Sequence, residues 1–169
     1  TMSVGKTTLV NALKETKQFK DYMFRTERSK YLMEQGIPLN TDSTLKGQTI
    51  FLAERCAELI QTDIITDRTV LDVMAFTMNA KSINHQDKEA FETYASEFVR
   101  EYDYIFYISP YGLEIEDNGV RETDEHYRDL IDFTITTLIK RHGHKAGKLE
   151  KISGSTEERI QQILNITGL

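Results

Sequence analysis

Thr1-Met2-Ser3-Val4-Gly5-Lys6-Thr7-Thr8 opens the chain, and Leu9-Val10-Asn11-Ala12-Leu13 follows it. The pattern G-x-x-x-x-G-K-[ST] describes a loop that wraps phosphate at the start of a helix. Its spacers, second Gly, Lys and Thr are all here, and its first Gly falls one place ahead of Thr1. Each residue type has a physical reason. A helix N-terminus offers N–H groups without intrahelical partners and a partial positive charge. Gly5 has no Cβ, so backbone can come close to phosphate. Lys6 adds a point charge that can bridge two phosphates, and the Thr7 hydroxyl can bind Mg²⁺. Leu9, Val10 and Leu13 give the helix a buried side. The bland alternative is a chance Gly-Lys-Thr on a surface helix. A loop of this kind follows a strand, so the reading expects a first strand ahead of Thr1.

Outward from this loop, strand and helix signals alternate. The helix runs from Thr7 to about Lys17, and Tyr22-Met23-Phe24 is a short apolar strand. A short helix ends near Gly36-Ile37-Pro38. Asn40-Thr41-Asp42-Ser43 supplies caps for a longer helix whose apolar face is Ile50, Ala53, Cys56, Ala57 and Ile60. Ile64-Ile65 is a strand ending at Thr66-Asp67-Arg68. Helices follow on Val70, Val73, Met74 and Thr77, then on Phe91, Ala95, Phe98 and Val99. Tyr104-Ile105-Phe106-Tyr107-Ile108 is continuously apolar, as a buried parallel strand should be. A polar loop covers Ser109 to Thr123, and a helix carries Tyr127, Leu130, Ile131, Thr134 and Leu138. Leu149 and Ile152 mark a last strand. Ser155 with Glu158 is a capping box for the final helix. This alternation predicts an α/β domain with a parallel sheet covered on both faces.

Composition fits that class. The 169 residues suffice for one domain with a full core, and 39% apolar and 28% charged residues suit a soluble globular protein. The net charge of −6 argues against broad attraction to nucleic acid, which stays possible but not favoured. The single Cys56 cannot form an internal disulfide and is expected in a helix core. No apolar run reaches membrane-spanning length and no signal peptide is visible, so the expected location is cytoplasmic, without membrane partners.

In an open α/β sheet ligands bind beyond the carboxyl ends of the strands. Charge concentrates there: Arg25, Glu27 and Arg28, then Asp67 and Arg68, then Glu114, Glu116, Asp117, Arg121 and Arg128. Ser153-Gly154-Ser155 follows the last strand. Asp67-Arg68 could equally be a surface cap, Arg25 and Arg28 a solvated turn, and Arg121 and Arg128 helix-surface charges. Arg141-His142-Gly143-His144-Lys145 reads as a solvated basic loop, with no spacing that suits zinc.

With these pieces in order, the chain resembles the P-loop nucleoside and nucleotide kinases. More narrowly, it is similar to the family that contains the nicotinamide-riboside kinase domain of bacterial NAD-regulator proteins and related AAA-type phage and bacterial kinases. The carrying segments are Ser3 to Leu9, Asp63 to Arg68 with Leu71-Asp72-Val73, Ile115 to Arg121 continuing through Asp124 to Arg128, and Ile152 to Ser155 with Glu158-Arg159. Asn118 departs from the Asp expected of the family. The resemblance implies a three-layer P-loop NTPase fold of kinase type, strand order 2-3-1-4-5, as a single domain over 1–169. It implies a lid at about 109–128.

The implied reaction is ATP- and Mg²⁺-dependent phosphoryl transfer to a nucleoside or nucleotide. Ser3, Val4, Gly5, Lys6, Thr7 and Thr8 would hold the phosphates, and Ser153, Gly154 and Ser155 the adenine. Thr7 and Asp67 would hold Mg²⁺, with Asp67 or Glu27 as the base. Lys6, Asp67, Arg121 and Arg128 would be catalytic, because an Arg fork suits phosphate oxygens. Arg25, Glu27, Arg28 and Arg68 would line the acceptor side. A monophosphate acceptor needs cations and a nucleoside needs a base; both sets are present. A DNA or polynucleotide acceptor, and a nucleotide-dependent regulatory switch with little turnover, are the rival readings.

Overall fold

The structure is a computed structural model, and it describes residues 4–26, 29–110 and 125–169. Its strands are β1 (Met23–Arg25), β2 (Ile64–Thr66), β3 (Tyr104–Ile108) and β4 (Lys148–Ile152). Its helices are α1 (Lys6–Lys14), α2 (Ser29–Glu34), α3 (Leu45–Glu58), α4 (Val70–Asn79), α5 (His85–Ala95), α6 (Glu125–His142) and α7 (Thr156–Thr167). The strands form two parallel pairs. β1 lies beside β2 with Met23 opposite Ile64, and β3 lies beside β4 with Tyr104 opposite Lys148.

Side chains alternate across a strand, and here they alternate between two apolar clusters. Ile105 and Tyr107 of β3 join the larger one, built on Leu52, Leu71, Met74, Val99, Ile131 and Leu138. Phe106 and Ile108 join the smaller one, with Leu9 and Leu13 of α1 and Ile163 and Leu164 of α7. Phe24 and Ile65 pack on this second cluster too. Thus α1 and α7 share one cluster, while α3, α4 and α6 share the other.

Between the two strand pairs lies a cavity of about 600 Å³. All of β2 and all of β3 line it, with Leu9, Val10 and Leu13 of α1, Ile135 and Ile139 of α6 and Ile163 of α7. Among the described residues, β2 and β3 each have a ladder partner on one side only.

Several helix expectations need correction. α1 stops at Lys14, and a 3-10 turn at Lys17–Phe19 buries Phe19. The cap of α3 is Thr44, whose hydroxyl accepts from the Gly47 amide. The buried positions of α3 are Gly47, Gln48, Leu52 and Arg55, whereas Ile60 lies past its end and is 81% exposed. Cys56 is half-buried against the larger cluster, where burial pushes its thiol pKa up. Leu130 is on the exposed side of α6. The pattern failed on α3 because Gln48 and Arg55 are polar residues at buried positions. No helix among the described residues is long and apolar enough to cross a membrane.

Candidate active site

α1 begins at Gly5, which sits in the left-handed region with φ 74° and ψ 23°. A residue with Cβ would be strained there. No side chain caps this helix end, and its first turn holds no acidic residue. A helix start of this kind can hold an anion on its N-terminal amides. Val4, just ahead, is buried, and its carbonyl accepts a 2.8 Å bond from Arg159 Nη1 of α7.

Thr7 Oγ1 donates to Asp67 Oδ2 at 3.1 Å. This joins residues sixty positions apart: Thr7 on the first turn of α1 and Asp67 just past β2. Asp67 is 6% exposed, and its amide bonds the Arg25 carbonyl, which ties it to the end of β1. A hydroxyl and a carboxylate side by side are hard oxygen donors of the kind Mg²⁺ takes, usually with one or two carboxylates. The donor set fits that ion.

Asp72 was quoted in the sequence but given no role; the structure places it at this same end. Thr69 and Asp72 form a capping box at the start of α4. The Asp72 carboxylate accepts from the Thr69 amide at 3.0 Å. Arg68 Nη1 is 3.6 Å from Asp72 Oδ1, and its guanidinium lies 5.3 Å from the Phe76 ring centroid. Lys6, Asp67, Arg68 and Asp72 all line the cavity between the strand pairs.

A second acid near Asp67 went unnoticed in the sequence. Glu58, at the end of α3, has its pKa raised by burial; Arg55 pulls it down, while Glu54 and Asp67 push it further up. Arg55 Nη2 pairs with Glu58 Oε1 at 2.9 Å, and Arg55 is only 3% exposed. The one available signal was their i, i+3 spacing on a helix. Tyr102 closes this polar region from below. Its hydroxyl accepts from the Val70 amide at 3.2 Å, and burial pushes its pKa far above the usual value.

The remaining expected site residues are spread more widely. Thr8 is exposed on α1, and Arg25 is exposed with Nη1 donating to its neighbour's carbonyl, Phe24 O. Arg128 is buried in α6, with Nε 3.7 Å from Asp129 Oδ1. One turn further along that helix, Asp132 accepts a 2.7 Å bond from Tyr107 of β3. Ser153, Gly154 and Ser155 form an exposed turn. Gln162 holds Ser153 through both its amide and its carbonyl, and Ser155 makes the expected capping box with Glu158. Gly154 has φ 93°, and a Cβ there would lie 2.2 Å from Glu158 Oε2, so the turn needs glycine. Ser3, Glu27, Arg28, Arg121 and lid positions 111–124 lie outside the described residues.

The expected basic loop at 141–145 is a correction. Arg141 and His142 end α6, and both reach Glu92 of α5, at 3.1 and 2.8 Å. Lys145 pairs with Glu97 at 2.9 Å. Among the described residues no group of three or more His, Cys, Asp or Glu side chains could hold a metal.

Comparison with known proteins agrees with the architecture. The chain is similar to the structure of deoxyadenosine kinase from M. mycoides with bound dCTP, with a TM-score of 0.69 at 17% identity. The match covers 99% of this chain and 95% of that one. At that identity the likeness is one of fold, a P-loop nucleoside-kinase-like fold. No curated protein sequence matches the chain. A family model described as an AAA domain matches residues 1–159. The chain belongs to the AAA domain family.

Proposed function

We propose that this protein is a P-loop kinase that transfers the γ-phosphoryl group of ATP to a nucleoside or nucleotide. The observation that carries the reading is the Thr7–Asp67 bond at the uncapped start of α1. It joins the phosphate-binding loop to the acid after β2, two elements whose chemistry is needed together.

In this reading the amides from Gly5 to Thr8 hold the polyphosphate, with Ser3 and Val4 completing the loop. Lys6 bridges its terminal groups. Thr7 and Asp67 hold Mg²⁺, which when bound neutralises charge on the phosphate oxygens. Asp67, or Glu27, takes the acceptor proton. Arg68 is oriented by Asp72 and Phe76 toward the acceptor side, with Arg25 and Arg28. Arg121 and Arg128 close over the transferring group, and the Ser153–Ser155 turn meets the adenine. The fold likeness to a deoxyadenosine kinase supports a nucleoside as acceptor.

The same proposal includes a further strand. Protein interiors are close-packed, with few voids larger than a water molecule. A cavity of about 600 Å³ between two half-paired strands is an exception that a fifth parallel strand would fill. Leading into Gly5, it would sit between β2 and β3, which gives the three-layer order 2-3-1-4-5. Fusing a short apolar strand ending in Gly ahead of Thr1 should raise both the melting temperature and ATP affinity. Equal values with and without it would remove the strand from the proposal.

The function is tested by an ATP-consumption screen against nucleosides, nucleotides and oligonucleotides. The expected result is ADP release that depends on a nucleoside or monophosphate. ADP release only with oligonucleotides would move the acceptor to DNA. ATP binding with no acceptor-dependent turnover would favour the regulatory switch.

A further inference from the structure

Arg159 was not among the residues expected at the site, yet it lies against the phosphate loop. It is 7% exposed on α7, and its Nη1 donates to the Val4 carbonyl across 155 residues of sequence. A Cβ built on Gly5 would lie 3.5 Å from that same nitrogen. Among the described residues no carboxylate reaches ion-pair distance of this guanidinium, and its buried Nε has no hydrogen-bond partner. A buried cation answered only by a carbonyl is costly. The fold accepts that cost directly behind its anion-binding loop.

Two consequences follow from elementary geometry and charge. A trans peptide is planar, and its C=O and N–H point in opposite directions. Anchoring the Val4 carbonyl on the Arg159 side therefore turns the Gly5 N–H to the opposite side of the loop. Gly5 is exposed, so that side is open to a ligand. Among the described residues, only the Val4 carbonyl answers the positive charge of Arg159, so a bound anion would add to its compensation. We infer that Arg159 is a positioning residue for polyphosphate: it fixes the Val4–Gly5 peptide plane, and bound phosphate balances its charge. The inference rests on the P-loop kinase reading.

Calorimetry on the intact chain tests it, using inorganic tripolyphosphate and ADP as probes. Arg159→Gln keeps a donor but removes the charge; Arg159→Lys keeps the charge but loses the planar fork. Arg159→Gln should weaken both probes by at least about tenfold, and Arg159→Lys should recover part of that loss. Ile163→Ala, a buried position on the same helix, serves as the control. It should lower the melting temperature while leaving both dissociation constants within about threefold. If wild type binds both probes and the two Arg159 variants match it within threefold, the inference fails and the kinase reading stands. If Ile163→Ala weakens binding as much as the Arg159 variants do, Arg159 is only a packing residue. If wild type binds neither probe, the P-loop reading falls and takes this inference with it. Should Arg159→Gln not fold, Arg159→Met, which also removes the charge, decides by the same threefold criterion.

Discussion

Two clusters of charge lie toward opposite ends of the strands, and they are built by opposite rules. At the α5–α6 corner, before β4, basic side chains meet acids: Arg141 and His142 reach Glu92, and Lys145 meets Glu97. At the phosphate-loop end Arg68 also pairs with Asp72, but Arg159 meets a carbonyl, and Thr7 and Asp67 hold each other with oxygens that can also take a metal ion. The first cluster is complete as folded. The second has donors and charge that a ligand would complete. On the proposed function, this difference separates charges that support the fold from charges that serve a ligand, and the variants below test it.

Lys6→Ala should produce the largest effect. Lys6 lines the cavity and holds no position in either apolar cluster. Its loss should lower kcat by about 100-fold or more, in the range of other single electrostatic contacts to a transition state, with little change in melting temperature. Near-normal turnover would place the phosphate-loop end among the purely structural clusters. Asp67→Asn comes next. It keeps the shape of the Thr7 contact but removes the metal-binding charge. Activity should fall about tenfold to 100-fold and need more Mg²⁺ for half-saturation, read from initial rates across a Mg²⁺ titration. An unchanged Mg²⁺ requirement would leave Asp67 a loop-bracing residue.

Arg121→Lys tests the lid expected from sequence. It keeps charge but loses the fork, so kcat should fall more than about tenfold while the KM for ATP changes little. Steady-state kinetics with a confirmed acceptor measures both. An intact kcat would make the Gly119-Val120-Arg121 segment an ordinary surface turn.

Contiguous features were readable without the fold; those made by distant residues were not. The Gly5-Lys6-Thr7 helix start, the β3 run from Tyr104 to Ile108 and the Ser155–Glu158 capping box are each written in adjacent letters, and the structure has α1 beginning at Lys6, β3 over Tyr104–Ile108 and the box at the start of α7. Asp67 was singled out by its place after an apolar pair, but its bond to Thr7 exists only in three dimensions. Arg159 and Asp72 look like ordinary surface charges in sequence, because burial of a charge leaves no local signature. The α3 face was misread for the same reason: Gln48 and Arg55 point inward where apolar letters were expected. The basic run at 141–145 looked solvated because its acids, Glu92 and Glu97, sit on another segment altogether.

Glu92→Gln should give the smallest effect, and it probes the other half of the comparison. Burial pushes the Glu92 carboxyl up, but hydrogen bonds from His142 and Arg141 outweigh it and hold the pKa below the ordinary carboxylate value. A depressed folded pKa means that stability from this group is fully present above the ordinary value of 4.5 and is lost as pH falls through the folded one. Glu92→Gln removes that contribution. It should lower stability at pH 7 by about 1 kcal/mol and flatten the acid limb of the stability profile below about pH 4.5, measured by urea unfolding from pH 3 to 7. Its kcat should stay within about twofold of wild type, since Glu92 is tied only to α6 and not to the phosphate loop. That expectation is the sharper one. α6 spans Glu125–His142, with Arg128, which the proposed function assigns to the transferring group, near its start and His142 at the corner. If Glu92→Gln lowers kcat while the fold holds, the corner sets the position of α6 during turnover, and the two clusters are one system rather than two.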